Sequence, residues 1–180
     1  MEVPEYSLAE RDRRWALARK LMAAEDIDAL IVYGWPGCAG TAGLVPDAYF
    51  SNDLPGSVVI FCRDADPVRL VWSTLPVQAH LEAAGRGCQL WIGPASIRVG
   101  ADTAGIAGVL REHGLEHGRA GVLGLSSAAH WQPGPAERCR RWWDVRALLP
   151  QVRLKSVDRS FLFLPRLGSC TRARRKYPAN

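Results

Sequence analysis

The side chains able to do chemistry in this 180-residue chain are few and scattered. Its four histidines are His80, His113, His117 and His130. A catalytic metal needs about three converging nitrogen or oxygen ligands with partners behind them. Only His113 and His117 are close, at i, i+4 spacing, and Gly114 and Gly118 break the helix that would align them. They read as a solvated turn. Gly124-Leu125-Ser126-Ser127-Ala128 has the outline of a nucleophile elbow, but Ala128 stands where the tight turn prefers glycine, and no helix start follows. Gly121 and Gly124 alone do not make a dinucleotide fingerprint. Cys38 lies in a Gly-rich stretch with no cation near it in sequence to lower its pKa, so it reads as a spectator thiol.

The five cysteines are odd in number, widely spaced and form no C-x-x-C pair, which argues against a zinc knuckle and a disulfide framework. Reduced thiols, a start (Met1-Glu2-Val3-Pro4-Glu5) without the apolar stretch of a secretory signal, and apolar runs far short of a membrane span together point to the cytoplasm and to no membrane partner. With 48% hydrophobic and 23% charged residues the composition is that of a globular protein. The net charge of +5 is unevenly placed. Residues 1–152 carry 15 Lys/Arg and 17 Asp/Glu, whereas residues 153–180 carry eight and one. The body has no nucleic-acid footprint, and the basic run Arg172–Lys176 lacks interleaved aromatics.

Elements that would position these residues alternate between helix and strand. Ser7 and Glu10 fit a capping box opening a helix whose buried side carries Leu8, Trp15, Ala18, Leu21 and Met22. Strands are expected at Ala29–Tyr33, at Ser57–Cys62 with Val68–Trp72 as a hairpin, at Gln89–Ile92, at Gly121–Leu125 and at Val152–Val157. Helices are expected from about Pro76 to Gly85 or Gly87, over Asp102–His113, and over Ala136–Leu149 with Cys139, Trp142, Val145 and Leu149 on its buried stripe. The fold class is therefore α/β, a mixed sheet of about six strands with helices packed on its faces. Residues 1–163 form one domain. Residues 164–180 form a basic tail without apolar periodicity, expected to be disordered and consistent with a truncated or frame-shifted end.

The long Gly- and Pro-rich stretch Trp35–Leu54 is where recognition is expected. Trp35, Tyr49, Phe50 and Asn52, with Trp131 from a second loop, are its candidate pocket or interface residues. Trp15, Trp72, Trp91, Trp142 and Trp143 lie on expected elements and read as packing residues.

Taken together, Glu10-Arg11-Asp12-Arg13-Arg14 leading to Leu21-Met22, the strand Ile27-Asp28-Ala29-Leu30-Ile31-Val32, the segment Tyr49-Phe50-Ser51-Asn52, the hairpin and Ala120–Leu125 resemble the N-terminal domain of the creatinase/prolidase/aminopeptidase P family over about residues 5–163. The resemblance implies a non-catalytic scaffold that helps to build a dimer, packs on a C-terminal pita-bread catalytic domain and closes part of its substrate pocket. It implies no cofactor in this chain, because the divalent metals of peptidase members belong to that other domain. Expected partners are a second copy or a catalytic domain. The alternatives are one piece of an active Xaa-Pro metallopeptidase, and a repurposed module for a small ligand or protein partner.

Overall fold

The structure, a computed structural model, describes residues 4–34, 46–123, 135–161 and 173–175. In chain order the elements are β1 (Pro4–Glu5), α1 (Leu8–Ala24), β2 (Ala29–Tyr33), α2 (Pro46–Ser51), β3 (Val58–Cys62), β4 (Val68–Val71), α3 (Thr74–Gly85), β5 (Ile97–Val99), α4 (Thr103–Glu112), β6 (Arg119–Leu123), α5 (Pro135–Leu148), β7 (Arg153–Ser156), α6 (Asp158–Phe161) and β8 (Ala173–Arg175).

Six strands form one mixed sheet in the order β5-β4-β3-β2-β6-β7. Strand β3 is antiparallel to both neighbours, and the other pairings are parallel. The hairpin expected at β3 and β4 is present, with Val58 opposite Leu70 and Ile60 opposite Val68. Every residue of β3 and β4 is buried, because helices cover both faces. One face packs Ile31, Val58, Ile60 and Leu70 under α4 and α5, using Ile106, Leu110, Trp142 and Val145. The other packs Leu30, Val32, Val59 and Phe61 under α1 and α2, with Trp15, Met22, Phe50, Trp91 and Ile92. Burying each such large side chain contributes roughly 1.5–3 kcal/mol. The described residues of the expected α5 stripe, Trp142, Val145 and Leu149, are buried; the Cys139 side chain lies outside the description.

Four local expectations differ from the structure. Ser7 does cap α1, its side chain accepting from the Glu10 N–H at 3.3 Å. The Glu10 carboxylate, however, takes Arg13 and Arg14 rather than closing the box, because charged donors bind a carboxylate more strongly than an amide does. Gln89–Ile92 is buried at Trp91 and Ile92 but is not a strand; the strand falls at Ile97–Val99. Its polar backbone is served by a side chain instead, His80 meeting the Ile92 carbonyl. The Trp35–Leu54 stretch contains α2. Within the basic tail, Ala173–Arg175 pairs with Pro4–Glu5 through backbone bonds, which need no apolar periodicity.

Candidate functional site

The sheet end at which β2, β4, β5 and β6 finish and β3 begins gathers the features most open to function. Strand order runs outward in opposite directions from β2, through β3, β4 and β5 on one side and β6 and β7 on the other. In open α/β sheets, ligands and partners sit outside the carboxyl ends of strands at such a switch point. Val32 and Leu123 are in register at the ends of β2 and β6, so the chain leaves both strands side by side.

The rim at this end is apolar and open. Trp72, just past β4, is 50% exposed and meets Tyr33 edge-on, with ring centres 6.5 Å apart. Leu75 at the start of α3, Val99 at the end of β5 and Leu54 before β3 are also exposed. The sequence reading assigned Trp72 to packing; its ring is only half covered. No local signal separates it from the buried Trp91, each directly following one aliphatic residue, Val71 and Leu90.

Under the rim, α2 is pinned from both sides. Arg14 donates to the Tyr49 carbonyl at 2.8 Å and the Trp15 indole donates to the Phe50 carbonyl at 3.1 Å. Both carbonyls lie in the last turn of α2, where helices run short of backbone donors. Asn52 follows with φ +52°, a left-handed position that asparagine tolerates well. The Arg14 guanidinium is itself boxed by aromatic faces, 4.4 Å from the centre of Tyr6, 4.3 Å from Tyr49 and 5.1 Å from Trp91. Hydrogen bonds from Arg13, and then Arg14, hold the Glu10 carboxyl below its usual range against the opposing effect of burial.

At its other end α2 carries Asp47, which is fully buried. Its Oδ2 accepts from the Gly56 and Ser57 N–H groups and from the Ser57 hydroxyl, each at 2.9 Å. A Cβ on Gly34 would lie 1.9 Å from Asp47 Cγ, so glycine after β2 makes room for this carboxyl. Burial pushes the Asp47 carboxyl up. From Ser57 the polar chain continues through Arg69 to Asp53 and His80.

Of the five expected site residues, Tyr49, Phe50 and Asn52 are brought together, all buried on or beside α2. Trp35 and Trp131 lie outside the described residues. Sequence reading missed Arg14, Asp47, Asp53, Arg69 and His80 as a group. The readable signal was the charged residue inside the apolar run Val68-Arg69-Leu70-Val71. His113 is part-buried at the end of α4 and His117 is exposed in the turn before β6, in keeping with a helix-to-strand connection. Ser126, Cys38 and His130 fall outside the described residues. Among the described residues no three His, Cys, Asp or Glu side chains come together as a group that could hold a metal ion. Among the same residues no helix is long and apolar enough to cross a membrane.

No family model matches the sequence, and no curated protein does. Solved structures do match. An aminopeptidase P (Xaa-Pro aminopeptidase) from Streptococcus thermophilus superposes with a TM-score of 0.55 at 15% identity, covering 86% of this chain and 98% of that one. The creatinase/prolidase-like N-terminal domain of a predicted metallopeptidase from Corynebacterium diphtheriae gives 0.50 at 16% identity, covering 83% and 96%. An X-Pro aminopeptidase from Thermotoga maritima gives 0.53 at 12% identity, covering 83% of this chain but 35% of that one. Order of elements, mixed six-stranded sheet and near-complete coverage of those domains agree: this chain has the fold of the creatinase/prolidase N-terminal domain.

Proposed function

We propose that the chain is a non-catalytic scaffold, a domain that associates with a second copy or with a catalytic domain and closes part of that domain's substrate pocket. The observation that carries this reading is the open apolar rim of Tyr33, Leu54, Trp72, Leu75 and Val99 at one end of the sheet. Exposed apolar residues gathered at one place mark association surfaces more often than solvated ones. The T. maritima match supports it, because there the same fold occupies about a third of a longer X-Pro aminopeptidase. Trp35, two residues beyond β2, and Trp131 belong to the same proposed surface.

Light scattering of the purified chain across the micromolar range tests this. A dimer that Trp72→Lys together with Leu75→Lys converts to a monomer is expected, without loss of the folded state. The same preparation is assayed with a Xaa-Pro dipeptide and Mn²⁺. Turnover that a chelator abolishes would replace the scaffold by the reading of an active metallopeptidase piece, whose ligands would then have to come from outside the described residues.

A further inference from the structure

Behind the rim, the seam between α2, α3 and the sheet buries two carboxyls on one permanent cation. Asp47, Asp53, Arg69 and His80 are each no more than 5% exposed. Arg69 gives Nη1 to Asp53 Oδ2 at 2.6 Å, Nη2 to the Leu54 carbonyl at 2.9 Å and Nε to Ser57 Oγ at 3.1 Å. That hydroxyl passes its own proton towards Asp47 Oδ2. Asp47 Oδ1 is buried with no hydrogen-bond partner among the described residues. His80 sits across the seam, Nδ1 3.1 Å from Asp53 Oδ2 and Nε2 2.9 Å from the Ile92 carbonyl. Both ring nitrogens therefore face oxygen acceptors, and a neutral ring leaves one oxygen facing a lone pair.

Charge counting decides what this arrangement needs. Arginine does not lose its proton in proteins, so two ionised aspartates with a neutral imidazole leave one uncompensated negative charge in the interior, a costly state. Among the described residues the cations on the two aspartates are Arg69 and, when protonated, His80. Uncharged Gly34 follows β2, uncharged Ser57 precedes β3, and Arg14 of α1 is engaged by Glu10 and the Tyr49 carbonyl. Residues 35–45 and 88–92 contain no charged side chain, and residues 124–134 contain His130 as their one ionisable group.

We propose that this cluster folds with one bound proton, held on Asp47 or on the His80 ring, and that its release as pH rises loosens α2 and α3 from the sheet. The upward push of burial on Asp47 supports the same conclusion. In the unfolded chain at neutral pH the aspartates are ionised and histidine is mostly neutral. The folded state then binds one more proton than the unfolded one, so above the unfolded-chain pKa stability falls as pH rises, by up to about tenfold in the folding constant per pH unit, and levels off once the folded cluster releases the proton.

The test is made on the full chain. Carboxyl carbon shifts of Asp47 and the ring nitrogen shifts of His80 are read by NMR at neutral pH, with urea unfolding followed against pH. One of the two groups is expected to be protonated. Wild type should lose stability as pH rises, Asp47→Asn should flatten that dependence wherever the proton sits, and His130→Gln should leave it intact. An ionised Asp47 together with a neutral His80 at neutral pH overturns the proposal. So does a loss with rising pH that persists unchanged in Asp47→Asn, or one that vanishes in His130→Gln. If a cluster variant fails to fold, the wild-type NMR result still decides.

Discussion

Arg14 donates to the Tyr49 carbonyl at 2.8 Å while its guanidinium carbon lies 4.3 Å from the centre of the same residue's ring. One side chain of α1 thus satisfies the backbone end of α2 and covers its aromatic face. Arg14→Met should cost about 3 kcal/mol, because it strands a buried carbonyl and removes one of the two cations on Glu10. Arg14→Lys should recover only part of that, since an ammonium cannot serve Glu10 and the Tyr49 carbonyl while stacking flat between rings. Chemical denaturation of the two variants checks the order.

Glu10 contributes to the acid limb of stability. Its carboxyl is lowered chiefly by the Arg13 hydrogen bond, so its contribution is present above the free-chain value of about 4.3 and is lost as pH falls through the lower folded value. Glu10→Gln should lower stability at neutral pH and make the loss below pH 4 shallower than in wild type. Urea midpoints measured from neutral pH downward would show otherwise if the two curves stayed parallel.

The contact between Gly34 and Asp47 leaves no room for a methyl group. Gly34→Ala should destabilise by about 1–3 kcal/mol, since the added carbon meets the centre of a pinned carboxyl rather than the end of a flexible chain. Combining it with Asp47→Ala should cost much less than the sum of the single changes. Additivity would mean that the two positions do not touch.

Tyr49 and Trp72 should separate stability from association. Tyr49 is 7% exposed and packs on Phe50 and Arg14, so Tyr49→Ala should cost about 3 kcal/mol by leaving a cavity. Trp72→Lys alone should change stability by less than about 1 kcal/mol, as surface substitutions do, while weakening self-association. Paired melting and light-scattering measurements decide; equal melting losses for both would place Trp72 in the core.

Thiol chemistry offers a probe of opening. Burial pushes the Cys62 thiol up to about 11, whereas Cys88 is only half covered. A maleimide at neutral pH should modify Cys88 in the folded state and Cys62 only at the rate of unfolding. Mass spectrometry of tryptic peptides over a time course distinguishes them.

What the sequence determined by itself was the framework. The apolar runs Ala29–Tyr33, Val58–Cys62 and Val68–Val71, the five-residue connection between the last two, and the glycine stops of α3 and α4 are local signals, and local signals read correctly give strands, hairpin and helices. The layered α/β class follows from their alternation. Tertiary structure decided the rest for one physical reason: burial of polar groups depends on partners far away in the chain. Arg14 reaches α2 from 35 residues away and Arg69 reaches Asp53 across 16, so two arginines became interior ties through partners that no local pattern names. Burial also turned Tyr49 and Phe50 inward and left Trp72 and Leu75 outside, a choice between similar side chains that only the packing of α1, α2 and α3 on the sheet could make.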